Sequence, residues 1–385
     1  MFSSPFLPLP AGLEIATTNM RDDLLVVQVF STKVRSCCPL CFCPAERRHS
    51  QYTRMVADLP CAGFRIQLIL HVRRFFCDNA NCIRKIFTER LPAFVLPWAG
   101  LTVRFCEALQ SLGLATCREL GTRLAARLAI PTSPTTILRR LMILPLDPVK
   151  SVIHLGIDDF ALRRGKNYGT VLVDLQRHQV IDLLPDRKAE TARVWIQKHQ
   201  EIKVVSRDRA GDYATAARQG APQALEAADR FHLVKNLAEA VEKALVSCRA
   251  ELRKGPKTKE ATWLFIRHFA DLKEKEREEL AALRQASARA ETIYQLVQAF
   301  LQMVRTLQGE HLESWLRSVR ACHIPELHSF ANGVERDKAA VLNGLTLSHN
   351  NGQTEGQVTR IKLIKRMMYD RAGFALLRQR VLHRF

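Results

Sequence analysis

The middle of this chain is a run of segments whose order leaves few folds open. VIHLGIDDF (152–160), YGTVLVDL (168–175) and HQVIDLLP (178–185) are short, apolar and rich in β-branched residues. They read as three successive strands. The basic turn RRGKN joins the first two and Gln176-Arg177 joins the second pair. Connections this short require antiparallel neighbours. AETARVWIQKH then reads as a helix, and IKVVSRD as a returning strand.

Three antiparallel strands, a helix and a returning strand predict an α/β layer of ribonuclease H-like topology. In it the first and fourth strands are neighbours, so Asp158 and Asp208, at their ends, can share a cation. Asp158 and Asp159 are consecutive and point to opposite faces of a strand. Asp158 is taken as the one facing the site, with Ile157 and Phe160 packing around it. Asp174, Asp182, Asp186 and Asp212 read as solvated turn or edge charges.

A third acid, Glu355, opens a basic amphipathic segment, EGQVTRIKLIKR. Residues 355, 359, 362 and 366 form one helical stripe of Glu, Thr, Lys and Arg. Val358, Ile361, Ile364 and Met368 form a separate apolar stripe suited to docking on the sheet. Lys362, Lys365 and Arg366 are expected to hold a DNA backbone beside the acids. The bland alternative is that Glu355 only complements the helix dipole in the first turn. Between Asp208 and Glu355 lie 146 residues, more than one connection needs. They are almost wholly helical in pattern, and a structureless loop of that length is improbable in a compact domain. Trp263 and Trp315 within them read as core residues.

The amino-terminal third carries paired cysteines. Cys38 and Cys41 are two residues apart, Cys77 and Cys82 four apart, with 35 residues between the pairs. Two such knuckles around strand-like segments suit a tetrahedral zinc ribbon, each turn supplying two thiolates. Cys37, Cys43 and Cys61 leave the ligand choice open, and free core thiols are the alternative. Residues 101–144 then turn helical in period, with a helix near 117–128, a break at Ile130-Pro131-Thr132 and a second helix from Ser133, where Pro134 is a natural first helical residue. This is helix-turn-helix spacing, and Thr135, Thr136, Arg139 and Arg140 are expected to face DNA. A plain helical hairpin is the competing reading.

The 385 residues carry 58 Lys+Arg against 38 Asp+Glu, a formal net charge of +20 that favours a polyanionic partner. No stretch reaches the length of a membrane-spanning helix, and the amino terminus lacks the basic and apolar regions of a secretory signal. The expectation is a cytoplasmic, nucleoid-associated protein with no membrane partner.

The same residues resemble a family, the ISL-three transposases of the DDE superfamily, over nearly the whole chain. CCPLC…CDNANC is similar to that family's zinc-binding head, SLGLATCREL…SPTTILRRL to its helix-turn-helix, and GIDDFALRRGKNYGTVLVDL and SRDRAGDYA to its two aspartate blocks. SHNNGQTEGQVTRIKLIKRMMYDRAGFALLRQRVL resembles the glutamate block, and ADRFHLVKNL a D-x-x-H signature. Asp159 stands where a glutamate is common, and His349-Asn350-Asn351 replaces a more usual Ser-Asn stretch. The resemblance implies a catalytic triad of Asp158, Asp208 and Glu355 holding Mg²⁺ or Mn²⁺. It also implies Zn²⁺ on Cys38, Cys41, Cys77 and Cys82, with Asp229 and His232 as accessory residues.

The expected organisation is multidomain α+β. A zinc-ribbon head (1–95) and a helix-turn-helix region (96–145) precede the ribonuclease H-like core (150–236). An all-α insertion (237–335) follows, and then the C-terminal helices carrying the glutamate (336–385). The expected activity is binding of terminal inverted repeats, then two-metal cleavage and strand transfer on double-stranded DNA, by a homodimer when active. The rivals are a non-catalytic zinc-ribbon, helix-turn-helix regulator and a metal-dependent nuclease or resolvase of the same fold.

Overall fold

The computed structural model of the chain describes residues 7–163, 165–208, 211–249, 256–349 and 351–383. Arg164 of the basic turn and Asn350 of the glutamate segment lie outside them. The chain divides into two compact units at Leu146/Asp147.

The first unit begins with β1 (Leu13–Arg21) and β2 (Leu24–Ser31), followed by the two-residue strands β3 (Ser36–Cys37) and β4 (Pro44–Ala45), which pair with each other. A long hairpin, β5 (Arg48–Cys61) and β6 (Phe64–Phe76), and the short β7 (Ile86–Thr88) complete its main sheet in the order β1-β2-β6-β5, with β7 also on β6. Along β6 every second residue, Ile66, Leu68, Leu70 and Val72, is buried, so one face covers a core and the other carries charge. Asp58 is buried under that sheet and is bonded by the Arg104 guanidinium and the Thr102 hydroxyl.

Three helices follow: α1 (Val103–Ala115), α2 (Arg118–Arg127) and α3 (Pro134–Met142). The Ser133 hydroxyl accepts from the Thr136 amide, and Pro134 supplies the first helical residue without an unsatisfied N–H. Gly113 on α1 lets Ile137 and Leu141 of α3 approach, since a Cβ there would stand 2.7 Å from Ile137 Cγ2.

The second unit is built on β8 (His154–Arg163), β9 (Asn167–Asp174) and β10 (Gln179–Leu184), then α4 (Ala189–Gln197), β11 (Val204–Arg207), α5 (Gly211–Gly220) and β12 (Leu225–Ala228). The sheet order is β10-β9-β8-β11-β12. The first three strands are antiparallel, and β11 runs parallel to both β8 and β12. Leu155, Ile157 and Val205 of the sheet bury one face against Trp195 and Ile196 of α4 and Tyr213 of α5.

Seven helices come next: α6 (Arg230–Ser247), α7 (Thr258–Ile266), α8 (Glu274–Ala286), α9 (Ala288–Thr306), α10 (Leu312–Ala321), α11 (Pro325–Arg336) and α12 (Lys338–Thr346). They share one apolar core whose buried residues run from Ala228 of β12 to Leu345. Trp315 lies in that core and donates its indole N–H to the Leu296 carbonyl at 2.8 Å. Trp263 does not: it is 65% exposed, because Ala261, Leu264 and Phe265 form the buried seam of α7 and residue 263 faces away from it. The chain then returns to the sheet as α13 (Gly352–Met367) and α14 (Phe374–Leu382).

Two aspartates expected at the surface are buried. Asp174 caps the β9–β10 turn, accepting from the Gln176 and Arg177 amides. Asp182 accepts from the Trp195 indole at 2.9 Å and from Arg378 of α14 at 2.7 Å, tying that helix to β10. In both cases local donors, invisible to a spacing argument, replace water.

The junction between sheet and helices depends on Gly344, where an added Cβ would stand 2.4 Å from the Ala228 carbonyl oxygen. The obstacle is backbone and has no side chain to swing away. Gly344→Ala is therefore expected to lower stability by about 1–3 kcal/mol in a chemical denaturation series, despite the better helix propensity of alanine. Unchanged stability would show that α12 shifts freely on β12.

Candidate catalytic and metal-binding sites

Parallel pairing sets the first site. Ile157 of β8 and Ala228 of β12 both register with Arg207 of β11. One residue further along stand Asp158, Asp208 and Asp229, a row of three acids across three neighbouring chain segments. Adjacent strands lie about 4.8 Å apart, and residues in one row share a face. Asp229 is buried and caps α6: its Oδ1 accepts from the Phe231 amide at 3.0 Å, and its Oδ2 lies 2.7 Å from His232 Nδ1.

The electrostatics report this proximity. Burial, opposed by the Asp159 amide and His232 and reinforced by Asp159 and Asp208, pushes the Asp158 carboxyl up to about 7. The hydrogen bond to Asp229 raises the His232 pKa, with further help from Asp158 and Asp208. The neighbouring acids thus favour the protonated form of His232.

Glu355 arrives on α13, whose first turn is moored beside Asp158. The Asn351 side chain, itself buried, donates to the Ile157 carbonyl at 3.2 Å and accepts from the Thr354 hydroxyl at 2.6 Å. Gly156 makes room for both, since a Cβ there would stand 2.6 Å from Thr354 Oγ1 and 2.7 Å from Asn351 Oδ1. Glu355 follows Thr354 and is exposed. Among the described residues, Asp158, Asp208 and Glu355 do not gather into a cluster tight enough to grip an ion.

The apolar stripe of α13 lies inward: Val358, Ile361 and Met368 are buried and Ile364 half-buried. Lys362 and Arg366 are exposed. Lys365 departs from its expected place on the phosphate-facing side. Its ammonium donates to the Ala161 carbonyl of β8 at 2.7 Å, because residue 365 sits four after Ile361 and shares the docking edge. On α3, Thr135 and Arg139 are exposed, while Thr136 is half-buried with its hydroxyl 2.9 Å from that of the Ser133 cap. Arg140 is also half-buried.

A second site is fully assembled. The thiols of Cys38, Cys41, Cys77 and Cys82 lie within 4.8 Å of one another. The first pair is held in a knuckle by Cys38 N–H to Cys43 O and Phe42 N–H to Cys38 O, both 2.9 Å. The second is pinned by Cys77 N–H to Lys85 O at 2.8 Å and Cys82 N–H to Asn79 O at 3.0 Å. The Cys43 amide and the neighbouring thiols bring Cys41 down to about 6. For Cys77 the Asn79 amide is outweighed by burial and the other three sulfurs, which push it up to about 12. Cys41 and Cys77 are thus driven in opposite directions, a conflict a divalent cation removes. Cys43 stands outside the four, its sulfur accepting from Asn79 Nδ2 at 3.6 Å.

Residues 155–381 match a family model described as transposase, of the DDE ISL-three type, and residues 35–82 match a model described as the zinc-finger of transposase IS204/IS1001/IS1096/IS1165. The chain belongs to the ISL-three family of DDE transposases. It is 27% identical over 350 residues to the transposase for insertion sequence element IS1001 of Bordetella parapertussis, covering 86% of this chain and 84% of the relative. It is 24% identical over 258 residues to the transposase for element IS1557 from two strains of Mycobacterium tuberculosis, covering 58% of each chain. No helix among the described residues of the transposase is long and apolar enough to cross a membrane.

Sequence reading missed Arg207. It is wholly buried, immediately before Asp208, and bonds Glu226 of β12 and, at 3.0 Å, both oxygens of Asp337 at the start of α12, while its Nη1 also donates to the Asp208 carbonyl. A basic residue one place before an acid in an apolar strand was the available signal.

The raised Asp158 pKa has a definite sign. Between its ordinary value and about 7, the folded protein retains a proton that the unfolded chain has released, so stability falls as pH rises through that window. Asp158→Asn lacks the charge. Without added divalent metal it is expected to exceed the parent by about 1–3 kcal/mol at pH 8, after discounting for solvent screening, and to match it near pH 4. Parallel stability curves for the two proteins across this range would contradict the placement of Asp158.

Proposed function

We propose that this transposase binds the terminal inverted repeats of its own insertion sequence, then cleaves and joins DNA strands at a site formed by Asp158, Asp208 and Glu355. The observation that carries the reading is the Asn351 anchor, which seats the first turn of α13 against β8 one residue before Asp158. Asp208 is in the same row, which supports a site shared by three acids from distant parts of the chain. Three like charges hold apart until a cation is among them. Hard carboxylate oxygens suit Mg²⁺ or Mn²⁺, and the uncompensated burial that raises Asp158 is what a bound dication relieves. Paired divalent ions would supply activation of the attacking oxygen and stabilisation of the leaving 3′-oxygen.

The chain's own residues supply the rest. Asp158 and Asp208, fixed by the sheet, set the position of the reacting phosphate, and Glu355 closes the site from its helix. Lys362 and Arg366, about two and three turns beyond Glu355, meet the flanking phosphates. His232, oriented by Asp229, is placed to donate a hydrogen bond or proton at the edge of the row. The sheet order, antiparallel for three strands and then parallel, supports a ribonuclease H-like core, with the helices between β12 and α13 as an insertion. The four soft thiolates fit Zn²⁺ with no open position, a structural ion that rigidifies a DNA-binding head. Helix α3, with Thr135 and Arg139 exposed, is placed to read the repeat, and synapsis of two ends calls for a homodimer.

Asp158→Asn, Asp208→Asn and Glu355→Gln should each reduce cleavage of a repeat-bearing duplex about a thousandfold or more, with repeat binding intact in a gel-shift assay. Strand transfer should fall in parallel. Retained cleavage in the Glu355 variant removes that residue from the triad, and cleavage without joining by the parent favours a nuclease.

Chelation, or Cys38→Ser with Cys77→Ser, should release one zinc per chain and unfold the amino-terminal head. Structural zinc contributes on the order of 10 kcal/mol to small domains of this type. A head that stays folded and zinc-free, followed by the amide-exchange protection of β5 and β6, excludes the structural role.

A further inference from the structure

A groove of about 580 Å³ lies in the first unit, between β5, β7 and the loop that follows β7. Its walls include Tyr52, Arg54, Arg74, Arg84, Arg90 and Trp98. Trp98 is 96% exposed, the most exposed of the large apolar side chains among the described residues. Its backbone is left-handed, φ 62°, a region in which a bulky residue is strained. The Ala99 amide bonds the Leu96 carbonyl at 3.2 Å, closing a turn with Pro97 and Trp98 at its centre. Glycine is the usual occupant of a left-handed third position after proline.

The turn is held from below. Arg54 donates from one Nη2 to the carbonyls of Leu96 (3.3 Å) and Ala99 (2.6 Å), and the chain on either side is fixed by Val95 on Leu91 and by Gly100 on Ala57. A rigid turn therefore presents an indole to water at a cost in both strain and hydration. Beside it, Arg74 stacks over the Tyr52 ring at 4.8 Å. No carboxylate pairs with Arg74, Arg84 or Arg90 among the described residues. The one acid lining the groove, Glu89, is buried and accepts from the Ser31 hydroxyl and the Arg73 amide.

We infer that this groove is a second DNA-binding site, which takes an unpaired strand: Trp98 stacks on an exposed base while Arg74, Arg84 and Arg90 neutralise the adjoining phosphates. Charge complementarity chooses a nucleic acid over an apolar partner, and the flat exposed ring chooses bases over a closed duplex, whose faces are already stacked. A transposase that opens DNA ends has such strands at hand, so the inference rests on the strand-cleavage reading above.

The test uses the full zinc-loaded chain with fluorescein-labelled oligo(dT) of about twelve nucleotides and a blunt duplex of equal length, by anisotropy. Trp98→Gly suits the left-handed backbone and should fold at least as well as the parent. It should lose about 10- to 100-fold in affinity for the single strand, with the blunt duplex affected less than about threefold. Trp98→Phe should recover most of the loss. Arg74→Gln and Arg84→Gln should each lower the salt slope for the single strand by about one. Single-strand binding by Trp98→Gly within twofold of the parent overturns the inference, as does a change of oligomeric state with unaltered DNA binding, which assigns the surface to a second copy. Binding of the element's own terminal repeat, measured separately, is the control: its loss in the parent defeats the end-binding reading without touching this one.

Discussion

A single buried guanidinium holds the second unit together where its chemistry is placed. Arg207 has no contact with water, and burial alone would lower its pKa; Asp337 and Glu226 instead raise it above its ordinary value. Those two acids come from α12 and β12, and Arg218 of α5 also reaches both. Removing one member of such a network leaves a buried charge without a partner, which typically costs several kcal/mol. The position matters as much as the energy. Arg207 is the last paired residue of β11, so whatever fixes its guanidinium also fixes the exit direction of the chain at Asp208 and the seat of the helices on the sheet.

The sheet and the helix that completes the site meet under the opposite kind of constraint, an absence of side chain. Gly156 and Gly344 mark the two places where helices touch strand backbone. At Gly156 the space admits Asn351 and Thr354, whose hydrogen bonds convert a close approach into a fixed register between α13 and β8. Glu355, exposed on the first turn of α13, inherits its position from that register.

Much of this was legible in the residues because periodicity reports burial. The order of β8, β9, β10, α4 and β11 follows from apolar runs and short turns, and α3 begins at Pro134 as its cap residues require. The inward stripe of α13 was likewise visible at helical spacing. The failures share a cause: spacing says which face a residue is on, and not which donors wait there. Asp174 and Asp182 read as surface charges and are buried because turn amides, Trp195 and Arg378 satisfy them. Lys365 read as a phosphate contact and instead reaches back to β8 carbonyls. Trp263 read as core from residue type alone, although its neighbours at 261, 264 and 265 already define the buried seam.

The two candidate metal sites differ in how far the protein completes them by itself, and the difference follows from ligand chemistry. Four soft thiols lie in one small core with Phe75 and Phe87, close enough to share a single dication. Carboxylates repel one another once charged, and burial together with its acidic neighbours already pushes the Asp158 carboxyl up to about 7. The fold answers by separating the task. Two aspartates are fixed by parallel register, where strand geometry alone brings them near, with the His232 ring held beside them by Asp229. The third acid is kept on the exposed first turn of a moored helix. In the proposed site, a cation held between the two aspartates would be what draws Glu355 towards them.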